Sequence, residues 1–115
     1  MKIGFLTDKN GYRAPIHPES IEKYSLDVHL EKDIFEYLKY SESIQNNVKT
    51  ISKVSDLDIV ACVENIQDKT IKELKEGAVL IGIFDFDKIE EIKSLRPDVK
   101  AVSYTHLRAH ETDLN

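Results

Sequence analysis

Between Ala78 and Phe84 the chain reads Ala-Val-Leu-Ile-Gly-Ile-Phe, without a polar side chain anywhere in the run. A strand wetted on one face alternates polar and apolar residues. A run that does not alternate is covered on both faces, as the strands of parallel sheets are by their crossover helices. The neighbouring sequence supplies such helices. Phe86 to Leu95 sets Ile89, Ile92 and Leu95 at helical spacing, with Lys88, Glu90, Glu91 and Lys93 assigned to solvent and Asp85 and Asp87 placed to cap the start. Pro97 stops that helix, and Val99 to Val102 begins another strand. Upstream, Asp68 is the expected N-cap of a helix over Lys69 to Lys75, whose Ile71 and Leu74 face one way. Gly77 is the expected left-handed residue that ends it.

The N-terminal half keeps the same rhythm. Lys2 to Leu6 reads as a buried strand followed by the polar loop Thr7 to Gly11, and Pro18 opens a short helix that ends near Tyr24. Leu26, Val28 and Leu30 alternate with Asp27 and His29, the pattern of a half-buried strand. Asp33 to Tyr40 reads as helical through Ile34, Tyr37 and Leu38, Val48 to Ile51 as an edge strand, and Asp58 to Val63 as a central one. The order specifies an α/β fold: a three-layer, mostly parallel, Rossmann-like (flavodoxin-like) sheet with right-handed crossovers. Such sheets bind ligands at the carboxyl ends of their strands. Those ends are Thr7 to Arg13, Glu31 to Asp33, Cys62 to Asn65 and Phe84 to Asp87.

Composition narrows the chemistry. A chain of 115 residues with 16 basic and 21 acidic side chains is one small domain and lacks the basic surface that nucleic acid requires. The longest apolar stretch, Gly77 to Phe86, is about half of the roughly 20 residues a membrane helix needs, and Met-Lys-Ile is no signal peptide. The expected protein is soluble and cytosolic in style, without direct membrane contact. Cys62, the single cysteine, supplies neither a disulfide nor a zinc site by itself. Four glycines leave little for a phosphate-cradling loop, and no Gly-x-Gly-x-x-Gly occurs between a strand and a helix. A phospho-acceptor domain shares this layering, but Asp8 stands alone where an acidic pair is needed.

Arg13, held between Gly11 and the prolines at 15 and 18, suits a carboxylate or phosphate gripped in two places. The alternative is a solvated loop arginine paired with Asp8 or Glu19. Cys62 in its apolar strand reads as a small inert hydrophobe, and His17 and His29 as capping or surface residues. Tyr12, Tyr24, Tyr37 and Tyr40 do not interleave with basic residues and read as packing.

The segment Val102-Ser-Tyr-Thr-His-Leu-Arg-Ala-His-Glu-Thr112 sets His106 and His110 four apart beside Glu111, a spacing that imitates a metal site. It resembles the conceptual translation of a transposon-type sequencing adapter, which implies that no metal is held there. The expected natural polypeptide ends near Ala101 to Tyr104, so residues 1–101 form an incomplete domain and 102–115 a non-native tail.

Met1-Lys-Ile-Gly4, Tyr12-Arg-Ala-Pro-Ile-His-Pro18, Asp58-Ile-Val-Ala-Cys-Val-Glu64 and Leu74-Lys-Glu-Gly-Ala-Val-Leu-Ile-Gly82 together resemble the N-terminal domain shared by alanine dehydrogenase and the alpha subunit of proton-translocating NAD(P) transhydrogenase. The likeness runs from Met1 to about Ala101. The last block looks more like the transhydrogenase branch. Saccharopine and lysine-ketoglutarate reductase proteins carry a related Arg-Ala-Pro-x-x-Pro block. The resemblance implies an oxidoreductase parent that moves a hydride between NADH and NADP⁺, with NAD(H) and NADP(H) as its cofactors and none bound by this fragment, which is inactive alone. The implied partners are the missing Rossmann NAD-binding domain, a transhydrogenase beta subunit and further copies in a homo-oligomer. The implied location is the cytoplasmic face of the inner membrane. Arg13 matches the arginine that holds the substrate carboxylate in alanine dehydrogenases. Cys62 stands where those enzymes place a substrate-binding lysine, and the Gly-rich loop usual after the second strand is replaced by Glu31 to Tyr37. A freestanding α/β binding or interaction domain is the rival from another class.

Overall fold

The run without alternation becomes strand β5 (Val79–Gly82), and β5 lies inside the parallel sheet that its sequence calls for. The computed structural model describes residues 1–6, 18–32, 35, 46–62 and 66–103. The other strands are β1 (Lys2–Leu6), β2 (Asp27–Leu30), β3 (Val48–Thr50), β4 (Ile59–Cys62) and β6 (Lys100–Ser103). The helices are α1 (Pro18–Tyr24), α2 (Asp68–Glu73) and α3 (Phe86–Leu95), with a 3-10 turn at Val54–Asp56 between β3 and β4. The sheet order is β3-β2-β1-β4-β5-β6, and every described pairing is parallel. With the short β3 counted, this is the 3-2-1-4-5-6 order of Rossmann sheets; without it, the 2-1-3-4-5 order of flavodoxin-like ones. Both descriptions reverse direction between β1 and β4.

Two apolar clusters occupy opposite faces. Ile21 of α1 packs with Val28, Leu30, Val48, Phe5 and Leu26 on one face. On the other, Ile71 of α2, Ile92 of α3 and Leu57 beyond the 3-10 turn cover Val60, Cys62 and Leu80. Ile71, Ile92, Val60 and Leu80 have no exposed surface. Each such side chain contributes about 1.5–3 kcal/mol relative to an exposed one. Ile59, Ala61, Val79, Ile81 and Val102 alternate onto the α1 face of β4 to β6, are half-buried, and belong to neither cluster.

The helix ends show where local rules hold. Pro18 opens α1 as expected. After α1, Ser25 adopts φ 49°, its N–H reaches Glu22 O and the Leu26 N–H reaches Ile21 O. This is the doubled bond of a left-handed helix cap, with serine where glycine is usual. Asp85 caps α3, its Oδ1 accepting the Lys88 N–H at 2.8 Å. The expected Asp68 cap shifts by one residue: Gln67 occupies the cap without a side-chain bond, and Asp68 lies in the first turn. Gly77 has the expected positive φ of 73°, but α2 ends earlier, at Glu73. Gly77 instead occupies the third position of a turn closed by Ala78 N–H to Lys75 O, where a positive φ suits glycine.

Two other expectations are corrected, and a third falls mostly outside the described residues. His29 is buried, 8% exposed, because the sheet is covered on its face too; a period of two locates faces but not what lies over them. Tyr24 is 63% exposed with Lys23 Nζ 5.2 Å from its ring centre, so it stacks under a cation instead of packing in the core. Of the helix expected over Asp33 to Tyr40, only Phe35 is described, and it is helical; the remainder lies outside the described residues.

Arg96 carries no local sequence signal, yet its guanidinium joins the layers. Nη1 donates to the carbonyls of Ile71, Lys72 and Leu74 at 3.1, 3.1 and 2.8 Å, and Nη2 to that of Lys75 at 3.4 Å. Nε and Nη2 also grip both oxygens of Asp98, whose Oδ2 accepts the Gly77 N–H at 2.9 Å. The open carbonyls at the end of α2 thus receive a planar, permanently charged donor. Arg96→Ala should lower stability by about 2 kcal/mol, a fall in Tm of roughly 10 °C. Arg96→Lys should recover less than half of that, because one ammonium does not match the fork. Calorimetry of the three proteins checks this, and an Arg96→Ala protein that melts like the parent refutes it.

The Arg96 guanidinium and the Gly77 N–H hold the Asp98 carboxyl well below its ordinary 3.8. A carboxyl depressed on folding stabilises the fold fully above its unfolded value and loses that contribution as pH falls toward the folded one. Urea unfolding should therefore give a flat stability above about pH 5 and a decline below about pH 4. Asp98→Asn should lower the plateau and flatten the acid decline; an unchanged decline would assign it to the other carboxyls held low, Asp27 and Asp58.

Candidate functional site at the strand carboxyl ends

The sheet order reverses between β1 and β4, whose last paired residues at the carboxyl ends are Leu6 and Cys62, the place where open α/β sheets receive ligands. Cys62 Sγ donates to Ile81 O at 3.6 Å and lies against Gly82. A Cβ at Gly82 would stand 2.8 Å from that sulfur and run into the Phe84 ring, so this glycine is required by close approach of side chains. Phe84 is fixed in turn: its N–H donates to Ser103 Oγ at 3.3 Å, and that hydroxyl donates to Phe84 O at 3.0 Å. Cys62, Gly82, Phe84 and Ser103 form a dry plug over the ends of β4 to β6.

Lys88 is corrected from a solvated position to a half-buried one. Its side chain is 18% exposed, with Nζ 3.8 Å from Asp68 and 3.6 Å from Glu91, so it links the starts of α2 and α3 beside the plug. Burial pushes the Cys62 thiol up to about 11, and the nearby Lys88 charge only partly offsets this. A thiol held protonated is a packing group, as its apolar strand suggested. Outside the plug, Ile83 and Phe86 are 56% and 75% exposed and form an apolar rim beside Asp85. The Asp85 carboxylate already occupies the start of α3, which makes that helix end unsuitable for a phosphate.

Arg13, His17, Asp8, Tyr12, Tyr37, Tyr40, Glu64 and Asn65 lie outside the described residues, as do His106, His110 and Glu111. The structure brings Cys62 together with Phe84 and Lys88 and sets His29 apart from them, near Asp27, with Nε2 3.0 Å from Asp27 Oδ1. That nitrogen is buried and has no hydrogen-bond partner. Lys49 Nζ is bonded to the same oxygen at 3.1 Å. Among the described residues no cluster of histidine, cysteine and carboxylate side chains could hold a metal ion. No described helix is long and apolar enough to cross a membrane.

Comparison of the chain with protein-family models finds no match, and comparison with curated proteins finds none.

The plug makes a chemical prediction. At pH 8 the native chain should react with iodoacetamide at least about a hundredfold more slowly than the urea-unfolded chain, because a thiol raised from 9.0 to about 11 carries about a hundredth of the thiolate. Mass spectrometry of the time course reads both rates. Equal rates would show that Cys62 is open to solvent.

Proposed function

We propose that the chain is the N-terminal, substrate-side part of an NAD(H)-linked oxidoreductase, of the kind formed by the transhydrogenase alpha subunit. The observation that carries this reading is where the resembling blocks fall. Met1 to Gly4, Asp58 to Glu64 and Leu74 to Gly82 contribute β1, β4 and β5, which are adjacent in the sheet and border the reversal. Blocks far apart in sequence thus fall on three adjacent strands, which supports a shared role for them. Arg13 belongs to the connection that leaves β1, and its proposed part is to hold a carboxylate.

The described residues do not fit a dinucleotide. Gly82 is committed to Phe84 and Cys62, and Asp85 presents a negative charge where a helix would otherwise receive a pyrophosphate. In the proposed protein, the nucleotide belongs to a separate Rossmann half that supplies hydride chemistry, while this domain orients the substrate and walls off water. The buried, protonated Cys62, standing where alanine dehydrogenases have a lysine, favours the transhydrogenase branch over amino-acid oxidation.

Recovery of the genomic contig tests the proposal: the reading frame should pass Ala101 and enter a Gly-x-Gly-x-x-Gly half followed by membrane spans. A frame that stops soon after Ala101 overturns it in favour of a freestanding α/β domain, and one that ends after the Rossmann half in favour of an alanine or saccharopine dehydrogenase-like enzyme. NADH fluorescence titration of the present chain should show no saturable binding; saturation would place a nucleotide site within it.

A further inference from the structure

We draw no further inference here: the strongest candidate, the exposed apolar rim of Ile83 and Phe86 at the carboxyl end of β5, carries nothing because nothing in the structure shows what covers it.

Discussion

The covering layer of this domain depends on one guanidinium. Helix α2 spans only Asp68–Glu73, far too short to persist in water by itself. Arg96 satisfies its final carbonyls from the far end of α3. Through Asp98 it also fixes the Gly77 turn that delivers the chain into β5. One side chain thus sets the end of one helix, the end of another and the entry to a central strand. Ile71, Leu74 and Ile92 pack with Val60 and Leu80 in the cluster beside those three points.

The same interaction divides the domain into two ends. At the amino ends of the strands, charges are tied down: Asp58 accepts from the Lys2 N–H and from Lys75, Asp27 holds Lys49, and Asp98 holds Arg96. At the carboxyl ends, the described groups are an apolar plug and an apolar rim, joined by the Asp85 cap and by Lys88.

Sequence reasoning succeeded where a single element carried the information. Pro18 marks a helix start by its fixed backbone and missing N–H, Asp85 marks one by its side-chain cap, and β5 declares its burial through composition alone. It failed where the deciding contact came from elsewhere. His29 looks outward in an alternating strand, yet tertiary cover buries it. Lys88 sits on the polar side of α3 by pattern, but α2 brings Asp68 to it. Arg96 immediately precedes a helix-ending proline, and no local rule says that its partners are carbonyls of an earlier helix. Cys62 was legible as a packing group, though its contact with Gly82 and Phe84 was not, since two side chains meeting over a glycine leave no periodic trace. Arg13, the residue on which a substrate role was placed, lies outside the described residues.

The feature that announced the fold also marks what the described helices do not cover. Strand β5 is apolar on both faces: Leu80 is buried beneath α2 and α3, whereas Val79 and Ile81 are only half-buried on the other side. Ile59 and Ala61 of β4 and Val102 of β6 share that condition, and α1 packs over the β1 to β3 half instead. A strand exposed to water on one face gains nothing from valine and isoleucine there, and a polar alternation would serve it better. The composition of β5 is thus matched to cover on both sides, more than α1, α2 and α3 provide.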